Sequence, residues 1–430
     1  MTPLAFFPRP ALRDALARLT DGNLERREAA LKLVEGIAKA DITPLEVAAI
    51  ISAASDDLPP RKFTFTTYDS ALLQAVWTHC RDQHVPLIVE RYGRLSSKGK
   101  AAALAALAQV NSRDATLEYV AILRKHGWPG ESYPMMTLPF ERTHEFGDIL
   151  LPALADESIV GIPSELKYSV LLAYAQAGAL PKSVATLTHA RALQEAQQAL
   201  DSVVPQQRGE GTSWRWAESY LETRGSAGLL LDVLAYLGKD TATVDVLRRG
   251  EALRDPRLRL FAILSLLRLG EAPDNPAVLA VASDPETRGD LFSALSSIGR
   301  RGLFPTSQSA QAQLAESDMV RWLTYPTELG CAPEHIELMK TVERDLGSTK
   351  GILVYYVFRF RTDPPHWAAK DGWLAGVSGP FRKEEFPTMD SWGDTFSSFT
   401  KWDDFTPDEH LSSISDLMAR WRDHQGASSP

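Results

Sequence analysis

Over most of the first 345 residues apolar side chains recur every three or four positions, and the runs that carry them are cut by short Gly, Pro, Asp or Asn breaks. In NLERREAALKLVEGIAKA, Leu24, Ala30, Leu31, Val34 and Ile37 fall close to one stripe, with Glu25, Arg27, Glu28, Lys32 and Glu35 mostly opposite. That is the signature of a helix with one face in a core. The texture returns in KGKAAALAALAQV, LKYSVLLAYAQAGAL, AGLLLDVLAYLG, LRLFAILSLLRLG and RGDLFSALSSIG. Each predicts a short helix whose apolar face is too wide to leave in water, and antiparallel stacking would bury it.

GILVYYVFRFR departs from this pattern. Ile352, Val354, Tyr356, Phe358 and Phe360 alternate with Leu353, Tyr355, Val357, Arg359 and Arg361, which predicts a strand with one apolar face and one that turns basic at its end. Pro364 and Pro365 then break the strand because they lack amide donors, and WLAGVSGPF returns as a second strand of a long-looped hairpin. A lone hairpin is marginal in water, so it must pack on the helices, gain strands or find a partner. A final helix is announced by Thr406, Pro407 and Glu409 as a capping box, with Leu411, Ile414, Leu417, Met418 and Trp421 on one face. The expected fold class is therefore mainly α: an α-solenoid of stacked antiparallel helix pairs with a small C-terminal α/β module. The expected divisions are 1–204, 205–345 and 346–430. PQQRGEGTSW at 205–214 serves either as a hinge or as a loop within one continuous array.

Two segments, LRDPRLRLFAILSLLRLG and ASDPETRGDLFSALSSIG, share a plan. Each places Asp-Pro before a helix (Asp255, Pro256; Asp284, Pro285), an Arg four residues after the Asp (Arg259; Arg288), an apolar face, and a closing Gly (Gly270; Gly299). Asp can cap exposed amides and Pro suits a first turn. This texture, with LTDGNLERREAALKLVEGI near the start, resembles the HEAT and armadillo-like α-helical repeat superfamily over roughly residues 10 to 345. The resemblance implies stacked helix pairs and a binding role.

Composition narrows the function classes. The chain has 430 residues, 44% apolar and 23% charged, enough for several cores and too balanced for disorder. No apolar run reaches the length of a membrane span, and MTPLAFFPRPALRDALARL lacks the basic region of a signal peptide. With only Cys80 and Cys331, a reducing cytoplasm is the default. A net charge of -9 disfavours nucleic acid and, by electrostatic steering, favours a basic protein partner.

Familiar catalytic motifs are incomplete. HEFGD lacks the second His of a zinc-protease helix, the position being Asp148. GVSGP departs from the nucleophile elbow, which leaves Ser378 as a turn residue. Asp403 and Asp404 read as a solvated helix entrance, and Trp214, Trp216 and Tyr220 as core aromatics. Ionisable and aromatic residues crowd together only around the predicted strand: Arg359, Arg361, His366, Trp367, Lys370, Asp371 and Trp373. Arginine suits carboxylate or phosphate, and tryptophan supplies apolar contact area. The plainer account pairs these arginines with the acidic tail and lays the tryptophans over the sheet. The leading expectation is a non-enzymatic cytoplasmic interaction scaffold without a cofactor or metal, in its concrete form a bacterial immunity or antitoxin-like factor. The alternative is an enzyme or small-anion-binding protein with its site in the C-terminal module.

Overall fold

The computed structural model describes residues 8–61, 65–208, 211, 213–345, 351–361, 372–383 and 395–427. The fold is mainly α with a C-terminal antiparallel sheet. Contacts divide the chain into two compact units, Met1–Ala190 and Arg191–Pro430.

The first unit contains α1 (Pro10–Arg18), α2 (Leu24–Lys39), α3 (Pro44–Ala54), α4 (Tyr68–Val76), α5 (Val85–Arg91), α6 (Ser97–Val110), α7 (Arg113–His126), α8 (Leu138–Thr143), α9 (Gly147–Leu154) and α10 (Ser164–Gln176). Helices two apart in sequence touch: α2 with α4 and α4 with α6, and likewise α3 with α5, α5 with α7 and α7 with α9. The Ala-rich α6 is the innermost of these, with every residue from Ala101 to Ala108 fully buried. Small side chains there let its neighbours approach closely.

Helix starts follow the local chemistry. At α3, Thr43 Oγ1 accepts from Glu46 N at 3.3 Å while Glu46 Oε2 accepts from Thr43 N at 3.0 Å, a reciprocal cap. Arg9 reaches the same carboxylate, Nη2 donating to Oε2 at 2.9 Å. The Arg9 hydrogen bond, with help from Thr43, holds the buried Glu46 carboxyl down at about 2. Its ordinary value is 4.5, so this stabilisation is complete above that pH and disappears as pH falls towards about 2. Glu46→Gln is therefore expected to cost roughly 1–2 kcal/mol at neutral pH, the half-exposed Arg9 being screened, and to flatten the acid limb of stability. Thermal unfolding of both proteins between pH 5 and 2 checks this; parallel acid limbs would contradict it.

The second unit takes in α11 (Lys182–Val203) beyond Ala190, then α12 (Glu218–Leu237), α13 (Thr241–Glu251), α14 (Pro256–Arg268), α15 (Asn275–Ser283), α16 (Arg288–Ser297) and α17 (Gln311–Leu323). α14 packs against α12, α13 and α15, and α16 joins α15 and α17. Leu260, Ile263, Val281, Leu291, Leu295 and Leu314 form one shared core there. The two similar segments differ at their starts. Asp255 caps α14, its Oδ1 accepting from Arg257 N at 2.8 Å and Leu258 N at 3.1 Å. Asp284 instead closes a turn, accepting from Glu286 N at 2.9 Å, and the helix begins only at Arg288. The two arginines are alike in role. Arg259 donates to Leu253 O, and Arg288 Nε donates to Ala282 O at 2.9 Å, so each ties off the chain leaving the preceding helix.

The sheet is β1 (His335–Asp345), β2 (Ile352–Arg361), β3 (Leu374–Arg382) and β4 (Phe396–Lys401), antiparallel throughout, in the order β1-β2-β3-β4. The expected β2–β3 hairpin is present, but the helical pattern expected up to residue 345 fails at His335–Asp345. That segment is a strand because it pairs with β2 from His335↔Arg361 to Asp345↔Ile352. Its register is interrupted between Leu338 and Lys340. The alternation of β2 holds. Val354, Tyr356, Phe358 and Phe360 pack with Ala315, Met319 and Leu323 of α17. On the opposite face Val357 meets Leu411 and Ile414 of α18 (Pro407–Ala427). The capping box of α18 forms as expected, Glu409 Oε2 accepting from Thr406 N at 2.8 Å. The side chains of Met418 and Trp421 lie outside the described set.

Candidate functional site

Of the seven residues expected at the C-terminal site, His366, Trp367, Lys370 and Asp371 lie outside the described residues. The other three do meet. Arg359 and Arg361 project from the end of β2 and stack over the Trp373 ring at 4.4 and 5.0 Å. Arg359 is paired with β1, its Nε donating to Glu337 Oε2 at 2.9 Å. The register, Glu337 opposite Arg359, makes this a cross-strand ion pair at the surface. Both guanidiniums thus rest on the indole, and that of Arg359 is also neutralised by Glu337.

Ser378 is not in a turn. It lies fully buried in β3, opposite Tyr356, where its Oγ donates to Asp318 Oδ2 at 3.1 Å, and Thr395 donates to the same oxygen. Among the described residues no imidazole takes part in these bonds, and the hydroxyl is held on the Asp318 carboxylate. His144 has a left-handed backbone and packs edge-on to Tyr174, while Asp148 pairs with Arg113 at 3.2 Å. Among the described residues no group of three His, Cys, Asp or Glu could hold a metal ion, and no helix is long and apolar enough to cross a membrane.

The densest polar cluster was not foreseen. Glu286 is 2% exposed and accepts from Arg257 Nε at 3.0 Å, with Arg224 Nη1 at 3.5 Å and Arg215 Nη1 at 3.7 Å. Arg215 also donates to Asp284 Oδ2 at 2.9 Å, and Arg257 and Arg321 both approach Asp290. Tyr220 donates to Asp255 Oδ2 at 2.8 Å and accepts from Gln207 Nε2 at 3.1 Å. Burial, and then the nearby Asp255 charge, push the Tyr220 phenol upward. For Arg257 burial works against the cation, but Glu286 and Asp290 outweigh it and the net shift is upward. Of the expected core aromatics only Tyr220 is buried. Trp214 and Trp216 are half-buried lids, with Arg254 over the first at 5.6 Å and Arg224 over the second at 5.2 Å. The guanidiniums of Arg215, Arg224, Arg257 and Arg321 each face a carboxylate, so the cluster ties the starts of α12, α14 and α16 together.

The first unit carries open concave surface on both sides of α7. A groove of 520 Å³ between α5 and α7 is lined by Asp82, Val85, Pro86, Val89 and Glu90 on one bank and Asp114, Leu117 and Glu118 on the other. A second, of 550 Å³, runs between α7 and α9 past Leu117, Glu118, Ala121, Arg124, Ile149 and Pro152. Leu117 and Glu118 stand on the crest between them, and Leu117 is 48% exposed. These residues escaped sequence reasoning because Leu117 sits beside the core residues Tyr119 and Val120. The available signal was an apolar residue outside the buried stripe, flanked by acids at i−3 and i+1.

No family model matches the chain, and no curated protein or solved structure does so either.

Proposed function

We propose that the chain is a protein-binding scaffold in which helix pairs stack along the sequence and the row containing α5, α7 and α9 receives the partner. The observation that carries this reading is the pair of grooves flanking α7, 520 and 550 Å³, which share the exposed Leu117. Shallow channels with apolar floors between neighbouring helices suit a protein segment, as the surfaces of helical arrays commonly do. Touching of α3 with α5, α5 with α7 and α7 with α9 supports the stacked arrangement, as does the shared role of Arg259 and Arg288. A dedicated groove also suits sequestration of one target, in the manner of an immunity or antitoxin-like factor. Affinity capture from native cells tests the reading. Wild type is expected to recover one stoichiometric protein, and Leu117→Asp to reduce that recovery roughly tenfold, as for a central contact residue. Equal recovery by both proteins, or none above background, would remove the support.

A further inference from the structure

The walls of the α5/α7 groove say what kind of segment it takes. Its floor is apolar: Val85 and Val89 lie one turn apart on α5, Pro86 lies beside them, and Leu117 faces them from α7. Its rim is acidic on both banks, with Asp82 and Glu90 on one and Asp114 and Glu118 on the other. Among the described residues no basic side chain lines it. The cations next to its lining residues in sequence are engaged elsewhere or only weakly here. Arg113 pairs with Asp148, and Arg81 donates to Thr78 O and Cys80 O at 3.0 and 2.6 Å. Arg91 touches Glu90 at 3.5 Å through its neighbouring, largely exposed carboxylate. Four like charges around an apolar strip repel one another, and an incoming cation relieves that repulsion.

A bare metal ion does not fit this description. It needs several oxygens converging on one point, and among the described residues no such group exists. An apolar strip between two acidic banks fits a chain that presents both features: aliphatic side chains to lie on Val85, Val89 and Leu117, and lysine or arginine heads on long stems to reach the carboxylates. We infer that the α5/α7 groove binds a cationic amphipathic protein segment, with Lys or Arg side chains at both edges of an apolar face. This rests on the interaction reading above and specifies its partner.

The test uses the full-length protein and two synthetic peptides of about 14 residues, roughly four helical turns. One is built from Leu and Lys, the other from Leu and Glu in the same order, each carrying a fluorophore for anisotropy and a photoreactive side chain. The Lys peptide is expected to bind, with affinity falling as salt rises from about 50 to about 300 mM, and the Glu peptide is not. Asp114→Asn with Glu118→Gln should weaken the Lys peptide roughly tenfold. The matched control, Asp56→Asn with Asp57→Asn, removes the same charge from an exposed stretch away from the groove and should change binding less than about twofold. Photocrosslinks should fall on 82–90 and 114–118, a readout that holds even if a variant is poorly folded. Equal weakening by both variant pairs, equal binding of both peptides, or crosslinks elsewhere would overturn the inference. If native capture depends on Leu117 while the peptides fail to discriminate, the scaffold reading survives and the cationic partner falls.

Discussion

Glu286→Ala is expected to lower the unfolding free energy of the second unit by about 3–5 kcal/mol, the cost of removing one partner from a buried ion pair and leaving the other uncompensated. Three guanidiniums, those of Arg215, Arg224 and Arg257, lie within 3.7 Å of this one carboxylate, and none is more than 28% exposed. Without it Asp284, Asp255 and Asp290 remain, but each already faces an arginine or caps the chain. Glu286→Gln keeps the shape and one acceptor while removing the charge, and should fall between wild type and the alanine variant. Equilibrium urea unfolding followed by far-UV circular dichroism and tryptophan fluorescence provides the measurement, since Trp214 and Trp216 lie over the cluster. A loss under about 1 kcal/mol would mean that the aspartates alone hold the arginines in place.

Phe360→Ala should cost a similar amount, about 3–5 kcal/mol, for a different reason. The ring is fully buried between the sheet and α17, and it lies 3.2 Å from where a Cβ on Gly376 would stand. Gly376 leaves that space to the Met319 thioether and the aromatic ring, so no side chain at Gly376 fills the void left by alanine. The effect should be local: amide exchange is expected to accelerate in β2, β3 and α17, with α2 to α7 unaffected. Phe405, 45% exposed, serves as the contrast, and its alanine variant should stay within about 0.5 kcal/mol of wild type. Uniform acceleration throughout the chain would show that the sheet layer does not open independently.

These two sites differ in how far they could be read beforehand. The β2 alternation was visible in GILVYYVFRFR because the burial of Phe360 follows from its parity with Val354, Tyr356 and Phe358. The caps at Asp255 and Thr406 were equally visible, since each concerns only the next three residues. Glu286 was not. DPETRGD reads as a capped helix start, and the burial of Glu286 depends on arginines arriving from α12, α14 and the segment before α12. β1 was obscured in the same way. Its charged sequence HIELMKTVERD carries no strand-forming run, and its conformation comes from pairing along the length of β2. The expected C-terminal site was half legible: proximity of Arg359, Arg361 and Trp373 followed from the hairpin, but Glu337, which neutralises Arg359, came from the strand that periodicity had assigned to helix.

β1 closes one side of the sheet, and among the described residues no element pairs with its outer edge. An unsaturated margin of this length is a template on which further chains can polymerise. The irregular register at Leu338–Lys340 spoils a continuous ladder there, and Glu337, Lys340, Glu343, Arg344 and Asp345 would have to be desolvated by any strand laid alongside. The charges that hid this strand from periodicity thus double as its safeguard against fibril growth, and exchanging them for alternating valine and threonine would trade solubility for stickiness.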